Sequence, residues 1–374
     1  MEGMETLKSK VLSKVLENLR PRTIRAALAW KQQDKVSSAW RLALPGGNTD
    51  LPNAEFSEAS ATSLCLPSPT CAGRLGEVIR GRKVVDQHGD TVQATPLAGD
   101  HWRQRHNSIL HLIKQMCLWA GVPCDLEVFN LFSAALRQEG LNRLEQYQQR
   151  QGLVPDARIK VPRAAGHDGG GAGQNQGRAA ESYVLHELKV ISCSSSRYRP
   201  TWHERAVDKR ASLLPNEYLL KARAADRKYN GVPDGQAGPT ERKLLQLGEV
   251  RGLVAGNWGE VSEATHALLD HLATSRVRVA IPTMGRRGFE RSEEAERSIA
   301  ISSLRRRLSV ATVRAQCHSL LGRLEVLGPG TTAAANRRRQ AAEQERAWRR
   351  EDQAYSLARR QGRLAYRTGF AVLD

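Results

Sequence analysis

Apolar positions recur along this chain at two spacings, and their succession divides it into helices and strands. Leu7, Val11, Val15 and Leu19 fall at helical spacing with Lys8, Lys10 and Lys14 between them. Residues 4–32 therefore read as helix, interrupted by Pro21 and resumed through Ile24, Leu28 and Trp30. Residues 44–101 are rich in Pro, Gly, Ser and Thr with few periodic segments, which predicts loops and short strands. Ile109, Leu112, Ile113, Met116 and Ala120 mark one face of a helix over 103–120, and Gly121 stops it. Residues 122–132 alternate as a strand, and 134–150 form a polar helix rich in Gln and Arg.

Two further strands follow, one over 152–156 and one over 183–191, separated by a Gly-rich insert at 164–180 that reads as a surface loop. The insert lacks the Gly-Lys-Ser/Thr ending of a phosphate loop. Helices at 201–213 and 216–229 are split at Pro215, with Asn216 as N-cap. A mobile Gly/Pro stretch at 230–239 precedes a last strand at 249–255. Gly256-Asn257 then turns into a helix carrying Val261, Leu268, Leu269 and Leu272. Residues 275–298 read as polar and loose. A long helix near 299–327 carries Leu304, Leu308, Ala311, Ala315 and Leu324, and Gly328-Pro-Gly330 ends it. The organisation predicted is an N-terminal helical arm (1–43), a loop-rich region (44–102), an α/β core (103–275), a linker with the last core helix (276–330) and an Arg-rich helical tail (331–374).

The candidate chemistry sits on the two central strands. Residues i and i+2 of a strand share a face, so Glu187 and Lys189 project together while Leu188 and His186 point away. If the strands pair, Asp156 reaches the same face. Two carboxylates beside one ammonium can hold Mg2+ and activate a water against a phosphodiester. Each string is common taken alone, and a Pro-Asp turn with a surface ion pair is the plain alternative.

The 374 residues carry a formal charge of +18, with 40% apolar but only 5% aromatic content. With the pI near 10.1, this charge points to a polyanionic partner, DNA first and RNA as the alternative. A GC-rich coding bias accounts for Arg over Lys but not for the scarcity of acids. The six cysteines (65, 71, 117, 124, 193 and 317) include no Cys-x-x-Cys pair, which argues against a disulfide framework and suits a reducing compartment. No leader opens the chain and no apolar run approaches a membrane span, so the expectation is a nuclear or cytoplasmic protein with no membrane partner, the nucleus preferred. Its protein partners cannot be read from the sequence. A zinc site is rejected, because only Cys71 and His88 are plausible ligands where four are needed.

Pro155-Asp156 followed by Glu187-Leu188-Lys189 resembles the PD-(D/E)XK signature of restriction-endonuclease-like nucleases. Further strings stand in order around it: Arg105-His106-Asn107, Lys221 to Tyr229, Gly256 to Glu260, and Leu304-Arg-Arg-Arg-Leu-Ser-Val310. Together, over residues 60–325, they look like the region of non-LTR retrotransposon proteins that follows the reverse transcriptase and comprises a zinc knuckle and a restriction-like endonuclease. The resemblance implies a small mixed sheet flanked by helices, with Asp156 and Glu187 as Mg2+ ligands (Mn2+ the alternative ion) and the Leu188 carbonyl as a third oxygen. It gives Lys189 the task of orienting or deprotonating the attacking water, and Lys228 that of a second phosphate contact. Arg105 and Lys221 would contact nucleic acid, and outside the resemblance the tail with Arg337, Arg338 and Arg339 reads either as a basic arm for phosphates or as a solvated helix face. Glu127 could approach the site, and His106 would orient a neighbour. The chain departs from the family in lacking a reverse transcriptase and in its knuckle, where Cys71 alone survives and Thr91 stands where a His is expected. The expected function is a Mg2+-dependent DNA endonuclease. The alternatives are a catalytically inactive nucleic-acid-binding protein and a retroelement remnant.

Overall fold

The structure, a computed structural model, describes residues 24–42, 50–79, 83–97, 99–128, 131–132, 135, 153–162, 181–193, 197–199, 203–248, 250–284 and 292–326. The N-terminal helix at 4–20, the polar helix at 134–150, the Gly-rich insert and the tail with Arg337, Arg338 and Arg339 lie outside the described residues.

Among the described residues eight α-helices surround one four-stranded mixed sheet, an α/β architecture. In chain order they are α1 (Ile24–Gln32), α2 (Asn53–Ser63), α3 (Asp90–Ala94), α4 (His101–Trp119), β1 (Cys124–Leu126), β2 (Ala157–Pro162), β3 (Glu181–Val190), α5 (Ala206–Asn230), α6 (Pro239–Leu247), β4 (Arg251–Ala255), α7 (Glu263–Met284) and α8 (Glu293–Val326). The sheet order is β1-β2-β3-β4. The first two pairings are antiparallel, and β3 runs parallel to β4. A parallel pair needs a long crossover, and α5 with α6 supplies it.

Each face of the sheet is covered, as strand alternation requires. Ala157, Ile159, Val161, Leu188 and Leu253 join Ile109, Ile113 and Met116 of α4, Leu269 and Leu272 of α7, and Leu304 and Leu308 of α8 in the main core. On the other face Leu185 meets Tyr218 and Ala222 of α5 and Leu244 of α6. Val254 packs there with Val207 and Leu214 of α5. α8 is the spine for the N-terminal part as well. Trp40 and Ala59 pack on its Val310, Val313 and Cys317, and Cys71, Ile79, Val85 and Val92 on its Leu320 and Leu324.

Several boundaries differ from the sequence expectation. The helices divided at Pro215 are one, because α5 runs through that residue. An interior Pro forfeits a hydrogen bond and crowds the preceding turn, at a cost of about 3 kcal/mol. The buried face of Val207, Leu214, Tyr218 and Ala222 outweighs it. This face lies close on β4: a Cβ added at Gly252 would come within 2.7 Å of Leu214 Cδ1 and 2.8 Å of Ala211 Cα. The strand expected at 152–156 begins after Asp156, since Pro155 has no N–H to give a ladder. Among the described residues of the strand expected at 122–132, Cys124–Leu126 pair, and Glu127 turns out of it at φ 46°.

The stretch at 230–239 is ordered by Asp226. Its carboxylate accepts from Asn230 Nδ2 (2.6 Å) and from the Thr240 and Glu241 amides (both 2.9 Å), closing the first turn of the unforeseen α6. α2, also unforeseen, is a helix of Ser, Ala and Glu with no periodic apolar face to reveal it. The supposedly loose 275–298 carries the end of α7 and the start of α8.

Candidate active site

The site is built where β2 starts and β3 nears its end. The register pairs Ala157 with His186, and one further step sets Asp156 across from Glu187. Cross-strand neighbours share a face. The Asp156 Oδ2 oxygen accepts from the Leu188 amide at 2.7 Å, and its carbonyl accepts from the Glu127 amide at 2.9 Å. Asp156 is thus held between two strands by backbone bonds. Glu187 and Lys189 lie on one face as alternation demands, with Lys189 Nζ bonded to Glu187 Oε1. The other oxygen, Oε2, accepts from the Tyr218 hydroxyl at 2.5 Å. That hydroxyl also lies 3.2 Å from the Val154 carbonyl. Glu187 is buried, whereas the Lys189 side chain is about one-third exposed (35%) and opens the site to solvent.

α4 contributes the third wall. His106 Nε2 lies 3.1 Å from Asp156 Oδ2, and Nδ1 lies 3.2 Å from Asn107 Oδ1. The charges of this pair reinforce each other. Burial alone pushes the Asp156 carboxyl up, but the His106 contact, the Leu188 amide and the nearby Lys189 ammonium outweigh it and hold the carboxyl below its ordinary value. Burial likewise works against charge on His106, and Asp156 overcomes it, so the imidazole is more basic than usual. His106 therefore orients a carboxylate, the role given to it from sequence.

Sequence reasoning missed the contribution of α5. Tyr218 anchors Glu187, and on the same helix Glu217 binds Arg210 in a bidentate pair. That bond, then the charges of Lys221 and Lys189, hold the half-exposed Glu217 carboxyl low. Lys221 is exposed and its Nζ stands 4.7 Å from the centre of the Tyr218 ring. Arg210, Glu217, Tyr218 and Lys221 would have declared a common face had Pro215 not broken the helix on paper.

Other expected residues sit elsewhere. Lys228 lies ten residues beyond Tyr218, about 15 Å along the helix at 1.5 Å per residue, with its ammonium over the Tyr229 ring. Lys221, not Lys228, is the α5 lysine that lies against Tyr218, the partner of Glu187. Arg105, expected at a phosphate, is buried: Nη1 donates to Ser192 Oγ at 3.0 Å and weakly to Gln93 Oε1 at 3.4 Å, and Nη2 points to the Val190 carbonyl at 3.5 Å. Burial, with the neighbouring Arg323 charge, pushes it down to about 10. It braces α4 against β3 from inside. The Glu127 side chain is exposed, and only its amide joins the site. His186, set aside from sequence, is buried with Nδ1 3.1 Å from its own strand's Val184 carbonyl, and burial pushes it down to about 4. The Leu188 side chain belongs to the main core.

The donor set suits a hard cation. Asp156, one step before β2, and Glu187 of β3 offer carboxylate oxygens, with His106 against the first and Lys189 bonded to the second. Among the described residues no group of three or more His, Cys, Asp and Glu gathers at one point. No described helix is long and apolar enough to cross a membrane. Comparison with family models, with curated proteins and with solved structures finds no match to this chain.

Proposed function

We propose that the chain is a Mg2+-dependent DNA endonuclease of the restriction-endonuclease-like kind, derived from the nuclease region of a non-LTR retroelement and acting in the nucleus. The observation that supports this reading is Asp156, one step before β2, set across from Glu187 of β3 and accepting the Leu188 amide, with Lys189 on the face of Glu187. Asp156, Glu187 and the Leu188 carbonyl would hold Mg2+ or Mn2+, which supplies charge neutralisation at the phosphate and an acidified water. The chain's own residues do the rest. His106 and the Leu188 amide fix the Asp156 carboxylate, and Tyr218 fixes Glu187. Lys189, partly exposed, presents an ammonium to the attacking water and to the charge that grows on the phosphate. Lys221 continues that positive edge along α5. The formal charge of +18 supports a polyanionic substrate.

A second reading, a nucleic-acid-binding protein without catalysis, has its own support. Both Glu187 oxygens already accept hydrogen bonds, as does Oδ2 of Asp156, so the cluster is internally satisfied as it stands. Nicking of supercoiled plasmid by the purified protein separates the two. The nuclease reading expects nicking with Mg2+ or Mn2+, none with EDTA, and binding without cleavage in Ca2+. Asp156→Ala should abolish nicking, and Lys189→Ala should slow it by about 10²-fold, the weight of one preorganised electrostatic group. Intact plasmid under both ions, or undiminished cutting by Asp156→Ala, leaves the binding reading in its place.

A further inference from the structure

Residues 58–79 and 83–97 hold a knuckle, two paired segments and a helix, the place at which the resemblance calls for zinc. Ser68 and Cys71 stand at Cys-x-x-Cys spacing, Val78 and Val84 form an antiparallel bridge, and α3 follows. The residues do not fit the metal. Ser68 replaces a thiol, α3 offers Thr91 and Thr95 in place of imidazoles, and His88 faces outward, with its Nδ1 3.1 Å from the Leu66 carbonyl. Burial pushes the Cys71 thiol up to about 11, the opposite of a ligating thiolate.

Other bonds occupy the places where a metal would tie the unit. Glu58 Oε1 accepts from Ser68 Oγ (2.9 Å), from the Thr70 amide (2.7 Å) and from the Thr70 hydroxyl, while Ser68 Oγ accepts the Cys71 amide at 3.1 Å. Asp86 closes the start of α3, taking the amides of His88 (2.9 Å), Asp90 (3.2 Å) and Thr91 (2.6 Å). The end of α3 is closed from outside. Arg323 of α8, 4% exposed, donates through Nη1 to the carbonyls of Val92 (3.0 Å), Gln93 (3.2 Å) and Thr95 (2.6 Å). Inside, Cys71 packs with Ile79, Val85 and Val92 against Leu320 and Leu324 of the same helix.

We propose that this unit is a metal-independent knuckle whose stability has passed to α8, with Arg323 as the clamp that takes the place of the zinc. It follows that the unit is not a free nucleic-acid-binding finger. It is a brace of the core, and through Gln93 it touches Arg105, the neighbour of the site's His106.

The test follows amide hydrogen exchange over residues 68–97 in the full chain. Added EDTA and added Zn2+ should each leave protection there unchanged. Protection lost to EDTA, or gained with Zn2+, overturns the proposal. Arg323→Met should lower protection of 68–97 by at least about tenfold, as expected when a charged donor's bonds are removed, while β2 and β3 amides keep theirs. Equal protection in the variant also overturns it. Should Arg323→Met fail to fold, Arg323→Gln keeps a polar head on a stem too short to serve all three carbonyls and is read by the same criterion.

Discussion

The turn after β4 holds a buried carboxyl whose protonation can be weighed. Glu260 is fully buried, with Oε1 accepting the Tyr198 hydroxyl at 2.7 Å and Oε2 the Trp258 amide at 2.8 Å. Its side chain folds back over its own loop so closely that a Cβ on Gly256 would fall 1.9 Å from Oε1. Burial raises the carboxyl from its ordinary 4.5 to about 7, against the hydrogen bonds, and the Asp34 charge adds to the rise. The linkage has a definite sign. Below 4.5 the folded and unfolded chains are both protonated here; between 4.5 and 7 only the folded chain keeps its proton. Stability from this group is therefore complete in acid and is lost as pH rises through 7. At about 1.4 kcal/mol per pH unit the loss accumulates to about 3 kcal/mol. Glu260→Gln keeps the shape and removes the titration. Urea unfolding of both proteins from pH 4.5 to 8.5 gives two curves, and their difference cancels every other titrating group. The variant should gain on the wild type by about 3 kcal/mol across that range. A flat difference curve would falsify the argument and place an ionised carboxylate in the turn at all these pH values.

Three further outcomes follow from single contacts. Asp34 joins three elements, its Oδ2 accepting from Arg205 Nη1 (3.1 Å) and the Val261 amide (2.8 Å) with His266 Nε2 at 3.2 Å; Asp34→Ala strands these partners and should cost about 3–5 kcal/mol in chemical denaturation. Tyr218→Phe removes the donor to buried Glu187 and should cost about 2 kcal/mol in the same assay, with Tyr218→Ala costing more because the ring fills the core beside Leu185. Gly89 sits at φ 72° with Leu320 Cδ1 2.7 Å from where a Cβ would stand, so Gly89→Ala should lose about 1–3 kcal/mol, seen as a lower melting temperature.

What the sequence disclosed depended on whether one segment carried its own signal. α4 was legible because Ile109, Ile113 and Met116 repeat on one face, and α8 because Leu304, Leu308 and Leu324 do the same. The placement of Glu187 with Lys189 was legible because alternation is a local property of a strand. Elements fixed by distant partners were not. α6 owes its first turn to Asp226 of another helix, and α5 survives Pro215 only because its apolar face has a sheet to lie on. Arg105 looked like a phosphate ligand because its neighbours in sequence say nothing of Ser192, eighty-seven positions away.

The same distinction bears on the site. Asp156, Glu187 and Lys189 were found by their order, yet the groups that hold them, His106 and Tyr218, come from helices on opposite sides of the sheet. Carboxylates held away from bulk water, Glu187 buried and Asp156 partly so, need compensating positive charge or hydrogen-bond donors. Here His106 supplies one side, and Lys189 with Tyr218 supplies the other. An inert structural cluster and a site awaiting a divalent cation both satisfy that requirement. They differ in what the compensating groups do when a cation arrives. In an inert cluster His106 and Lys189 stay bonded, and the cation gains too little to displace them. In a working site a cation held by Asp156 and Glu187 would compete with His106 and Lys189 for the same oxygens, and an ammonium released from Glu187 would be available to the phosphate. Lys189 is the more exposed partner of its ion pair, 35% against 6% for Glu187, so it is the partner that would move.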